Sequence, residues 1–202
     1  MTNEENSLES TTNNTRQISS KELMLLSILS ALTYLLIAFL IFQYIHDENV
    51  FTAFEHGYSP SFQLLIGILS GILAAGIIGF TIKRPPVADV LNDFYIVEAI
   101  SKMNLTNFDR VQLSAFAGTG EELLFRGAIQ PLLGNWVTSA IFIGIHGYFK
   151  FKSIGHIIFG VMMFSLSMML GYLFEHAGLI AAMSAHAIYD VIMLQLVQKG
   201  KE

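Results

Sequence analysis

No charged residue interrupts positions 23–44, 62–82 or 154–174. Each run matches the ~20 apolar residues that a helix needs to cross a ~30 Å hydrocarbon layer. Inside lipid every backbone N–H and C=O must be paired within the segment, so continuous apolar runs of this kind fold as helices. The chain as a whole agrees: of its 202 residues 53% are hydrophobic and 13% charged, against roughly 25% charge in soluble domains. The fold class expected is all-α, a polytopic helical membrane bundle.

Taken in order, residues 1–20 are polar, begin with acidic residues and read as a disordered tail. Residues 21–86 hold two N-terminal transmembrane helices, the second with Gly67, Gly71, Gly76 and Gly79 at spacings suited to close helix packing and ended by Lys83-Arg84-Pro85-Pro86. Residues 87–198 form the core. Its first part, 87–104, places Val90, Leu91, Phe94, Val97 and Ile100 at helical spacing, either an interfacial helix or a soluble connecting one. Further spans follow over 111–133, 136–149, 154–174 and 179–197. The run 136–149 is short for a full crossing. The count is about six transmembrane helices.

Basic residues sort by loop. Arg16 and Lys21 precede the first span; Lys83, Arg84, Lys102 and Arg110 lie between the second and third; Lys150 and Lys152 lie between the fourth and fifth; Lys199 and Lys201 follow the sixth. The first, third and fifth loops carry no Lys or Arg. The positive-inside rule then puts both termini in the cytoplasm, in a multi-pass cell-membrane protein.

Charges inside the apolar runs cost about 2.5–3.5 kcal/mol each on insertion scales and mark functional sites by default. The third span carries Glu121, Glu122 and Arg126, the fourth His146, and the sixth His186 and Asp190. Glu122 and Arg126 stand at i and i+4 on a helix and can pair, while Glu121 points about 100° away and is left for chemistry. His186 and Asp190 share a face in the same way, which suits two ligands on one metal or a simple hydrogen bond. His156 and His176, near the ends of the fifth span, read as interfacial. The economical arrangement is one polar cavity, displaced toward the cytoplasm, in which the six converge. A carboxylate can act as general base on water; imidazoles can ligate a metal, relay protons or donate to an oxyanion. The chain has no cysteine, which excludes disulfides, thiol nucleophiles, thiolate metal sites and lipidation of its own cysteines. No basic stripe points to nucleic acid.

Glu121-Glu122-x-x-x-Arg126, Phe142-x-x-x-His146 and His186-x-x-x-Asp190, in that order in membrane spans, resemble the CPBP family, which groups type II CAAX prenyl endopeptidases with bacteriocin-processing and immunity (Abi) proteins. Gly171-Tyr172 is similar to that family's glycine-rich segment. The resemblance implies an intramembrane endopeptidase acting on a peptide or membrane-protein substrate. By position, Glu121 and His146 would activate water, Glu122 and Arg126 would organise the site, and His186 and Asp190 would hold a metal or stabilise the oxyanion. A divalent metal, zinc first, would sit on Glu121, His146, His186 and Asp190; activation of water by glutamate without a metal stays open beside it. The acidic tail and cysteine-free chain suggest a bacterial source. The rival reading is a non-catalytic immunity or scaffolding membrane protein of the same fold. A small transporter would need coupled or inverted halves, and the sequence has no internal repeat.

Overall fold

The computed structural model describes residues 20–199. The polar tail with Arg16, Ser20 excepted, and Lys201 lie outside the described residues. Every regular element among the described residues is helical. Helix α1 (Ser20–Ile41) passes into a π-helical turn (Phe42–His46) that stops at Asp47 in the left-handed region (φ 54°), a conformation a short polar side chain tolerates. Leu25, Leu29, Leu32 and Leu36 of α1 are 51–58% exposed, as leucines facing lipid are. A 3₁₀ turn (Val50–Phe54) leads to α2 (Pro60–Thr81), which starts on proline and ends before Lys83-Arg84-Pro85-Pro86.

The segment 87–104 forms two pieces, a 3₁₀ helix (Ala88–Asp93) and α3 (Tyr95–Lys102), joined at Phe94 in extended conformation. Val87, Phe94 and Val97 are buried against the bundle while Tyr95 is turned outward. The apolar spacing is therefore real, but it docks the segment on protein. Next comes α4 (Asn107–Glu122), opened by a capping box in which Thr106 and Asp109 bond each other's backbone N–H. It runs through a π-helical turn (Leu123–Ile129) into α5 (Gln130–Ile145). The last two helices are α6 (Ile154–His176) and α7 (Leu179–Lys199).

Among the described residues five stretches are long and apolar enough to cross a membrane: Lys21–His46, Pro60–Thr81, Asn107–Ile145, Ile154–His176 and Leu179–Gln198. The third of these doubles back. Gly134 inside it has φ 75° and ψ 163°, far from helical. Across it Phe125 meets Phe142 edge to face, Arg126 donates to Ser139, and Glu121 faces His146. One number rises as its partner's falls, so the two arms run antiparallel around Gly134. Five stretches thus supply six arms. The arm after Gly134 ends at Ile145 and rises only about 16 Å at 1.5 Å per residue, about half of a ~30 Å layer. The run 136–149 therefore gives a half-length arm, and residues 146–153 form a loop.

α7 packs most extensively on α2 and α4. A Cβ on Gly71 would lie 2.5 Å from the Ala185 carbonyl oxygen, and one on Gly118 2.8 Å from that of Met183. Gly76, by contrast, faces open space. Only part of the glycine pattern is therefore helix–helix contact. Gln63, 2% exposed, fastens the other end: its Nε2 donates to the Tyr58 carbonyl (2.7 Å) and its Oε1 accepts from Ile180 N–H (3.0 Å), one of the orphan donors at the start of α7. Gly71→Ala is expected to destabilise the bundle by about 1–3 kcal/mol through overpacking. Gly76→Ala is expected to stabilise it by about 0.5–1 kcal/mol, because it relieves glycine's entropy cost without a clash. Opposite shifts of the unfolding midpoint in detergent check this pair.

Candidate active site

The doubling-back at Gly134 brings the polar residues of α4, α5 and α7 together. Glu122 and Arg126 are fully buried, with the Arg126 Nε donating to Glu122 Oε2 at 3.0 Å. Each of the other guanidinium nitrogens is bonded too: Nη2 donates to Ser167 Oγ (2.7 Å), and Nη1 to Ser139 Oγ (3.3 Å) and Gln130 Oε1 (3.4 Å). The other Glu122 oxygen accepts from His186 Nδ1 at 2.8 Å. A buried charge survives only when paired and hydrogen-bonded in this way. Glu122 thus holds both a cation and an imidazole in place.

Glu121 is free of that network. Its side chain is 12% exposed and faces His146 Nε2 at 3.8 Å, too long for a direct hydrogen bond and close enough for one water at their side to bond both. His146 is the residue that ends α5. Its Nδ1 donates to the Phe142 carbonyl (2.7 Å), and its ring lies 4.3 Å from that of Phe142. This fixes the ring and turns Nε2 toward Glu121. His186 is held likewise by Glu122, and its Nε2 lies 3.5 Å from Asp190 Oδ2. Glu121, His146, His186 and Asp190 all border one cavity of about 330 Å³, whose remaining walls are mostly apolar and include Leu91 and Val97 from the 3₁₀–α3 segment. The six residues singled out in the sequence thus form one site of two layers: Glu122 and Arg126 sealed behind, the other four at the cavity.

The fit to a metal is poor. Among the described residues no three His, Asp or Glu side chains converge so as to hold an ion. Glu121 pairs with His146, and His186 with Glu122 and Asp190. The four expected ligands are neighbours in the cavity without sharing a point, so no step is derived through a metal.

Several members of the site carried no signal in the sequence. Ser139, Ser167, Gln130 and Asn135 are buried polar residues that continue the Arg126 network. Asn135 accepts from Ser139 (3.1 Å), donates to the Met168 carbonyl (3.0 Å) and lies so close over Gly171 that any side chain there would collide with it. The glycine of the Gly171-Tyr172 pair thereby gains a physical reason. His156, near the start of α6, is 3% exposed and bonded to Asp93 Oδ2 (3.0 Å) and Ser153 Oγ (2.8 Å). It ties α6 to the 3₁₀ segment. His176 stays exposed, stacked on Tyr172.

Long apolar helices around a buried polar site define a helical membrane protein. Residues 106–192, which hold all six site residues, match the family described as Type II CAAX prenyl endopeptidase Rce1-like. The chain is 37% identical over 81 residues to the uncharacterized protein YpbD of Bacillus subtilis (strain 168), covering 40% of this chain. It spans 39% of the length of that relative. No solved structure matches it.

Proposed function

We propose that this protein is an intramembrane endopeptidase that hydrolyses a peptide bond of a peptide or membrane-protein substrate with an activated water. The observation that carries this reading is the division between adjacent carboxylates: Glu122 is bound to Arg126 and His186, while Glu121 faces a cavity and a fixed imidazole. A water between Glu121 and His146 Nε2 gives up a proton to Glu121 as it attacks the scissile carbonyl, and Glu121 passes that proton to the leaving amine. Glu122 and Arg126 hold His186 in place beside Asp190. The match to the Rce1-like family supports the same chemistry. The protein works in a bacterial cell membrane with both termini in the cytoplasm, the side to which its basic loops fall.

Two measurements test this. Cells producing the protein are compared with cells producing His146→Ala for new amino termini on their membrane proteins. New termini are expected in the first set alone. Identical sets would replace the peptidase by a non-catalytic immunity or scaffolding protein of the same fold. The second is metal content. Because the candidate ligands do not converge, we expect the purified protein to hold no stoichiometric divalent ion. One zinc per chain, lost in a His146→Ala, His186→Ala double variant, would make it a metallopeptidase instead.

A further inference from the structure

One wall of the cavity differs from the others. Glu121, Phe142, Ser167 and Asp190 reach it from helices of 16 residues or more. Ile96, Val97 and Ile100 reach it from α3, a helix of eight residues that lies against α7. Isolated helices shorter than about 12–15 residues are marginal in water. No side chain caps the start of α3, so its first N–H groups gain nothing there. Among its described side chains Val97 alone is buried, and Tyr95 is 80% exposed.

The chain on either side of α3 is fixed. Phe94 is 1% exposed, its ring 4.5 Å from that of Phe159 and 5.6 Å from that of His156. The Asp93 carboxylate accepts from His156 Nε2 at 3.0 Å, and the Asp93 carbonyl accepts from Lys150 Nζ. Gly155 of α6 lies against the Pro86 carbonyl, with no room for a side chain. At the other end the Met103 carbonyl accepts from Gln198 Nε2 of α7 at 2.9 Å, and Leu105 is buried. The junction residues Phe94 (φ −89°, ψ 117°) and Met103 (φ −81°, ψ 148°) both have extended backbone. Hinges are commonly a few element-terminal positions of this kind. α3 is a strap held at both ends and weak between them.

A peptide substrate must place a backbone carbonyl beside Glu121 and continue away on both sides of it. The cavity, about 330 Å³, stands at the low end of the roughly 300–1,000 Å³ of small-ligand pockets. One wall has to give. Elements that open for binding come from the low-stability end of a structure, and here that element is α3. We infer that α3 is a flap over the active site. It unwinds off α7 between Phe94 and Met103 to admit the substrate, whose chain takes its place along the cavity. In the closed form described above, α3 holds the site shut. This role rests on the hydrolysis reading and adds to it how the substrate enters.

The test uses the full protein in proteoliposomes and a fluorogenic peptide carrying a cleavage site mapped from the new amino termini. The chain has no cysteine, so introduced thiols are the sole targets of a thiol linker. Gln198 reaches Met103; one turn back on each helix stand Leu194 and Ile100, which both border the cavity. Ile100→Cys combined with Leu194→Cys is expected to be joined by a reducible bis-methanethiosulfonate linker. Joining should abolish cleavage, and reducing the linker should restore the rate of the unjoined double variant. Full cleavage by the joined protein would overturn the flap, and so would failure of the two thiols to join. Ala99→Gly decides the matter where the double variant folds poorly. It is expected to raise kcat/KM about five-fold, the factor equivalent to the ~1 kcal/mol helix penalty of glycine. A substitution that loosens a merely structural helix would not speed the reaction, so an unchanged or lower kcat/KM would overturn the flap. No cleavage by the wild-type protein would overturn the hydrolysis reading itself, and this role with it; that failure is distinguishable because it appears before any variant is made.

Discussion

Glu121→Gln is expected to cut peptide-bond hydrolysis by about 10²–10⁴-fold, the usual contribution of a positioned general base, and to leave the unfolding midpoint nearly unchanged. The substitution keeps volume and shape and removes basicity. It breaks no direct hydrogen bond to His146, because the two groups stand 3.8 Å apart. Nor does it touch the Arg126 network, which is built on Glu122. The check is single-turnover cleavage beside thermal unfolding in the same detergent. Full activity in Glu121→Gln would sink the assignment of the base. Loss of activity together with loss of fold would show that Glu121 is structural after all.

The site was legible because lipid makes charge conspicuous. Six ionisable residues in otherwise charge-free runs could be recognised one by one, and helical spacing already paired Glu122 with Arg126 and His186 with Asp190. The structure adds the link between these pairs, the Glu122–His186 bond across α4 and α7. No spacing rule connects residues so far apart in sequence. Serine, asparagine and glutamine carry no charge and can pair across membrane helices as structural contacts, so Ser139, Ser167, Asn135 and Gln130 did not stand out.

The fold was legible to the extent that length and charge decide it. The number of arms follows from apolar runs and breakers. What periodicity cannot supply is direction after a glycine. The continuous helical stretch Asn107–Ile145 becomes a hairpin only because Gly134 takes a conformation closed to most residues. That reversal, and the short second arm it leaves, place His146 at a helix end inside the bundle, opposite Glu121. The segment 87–104 was ambiguous for a related reason: an amphipathic helix has the same pattern whether its apolar face meets lipid or protein, and here Val87 and Phe94 meet protein.

Arg126→Met should destabilise the protein by about 3–5 kcal/mol, the cost of leaving a buried charge without its partner. Both members of the pair are fully buried, so neither water nor lipid headgroups can take over from the guanidinium. Methionine fills much of the space, which separates the electrostatic loss from a cavity. The loss extends past one ion pair, since Ser167, Ser139 and Gln130 each lose a donor. A double variant, Glu122→Gln with Arg126→Met, decides which effect dominates. The amide that replaces the carboxylate keeps an oxygen to accept from His186 Nδ1 and carries no charge. If the unpaired carboxylate is the main cost, the double variant is more stable than Arg126→Met alone, against simple additivity. If the lost donors dominate, the double variant is no better. Denaturant midpoints of the three proteins in one detergent supply the comparison. An Arg126→Met protein as stable as wild type would mean that Glu122 is not held as an ion, and the division of labour between Glu121 and Glu122 would lose its physical basis.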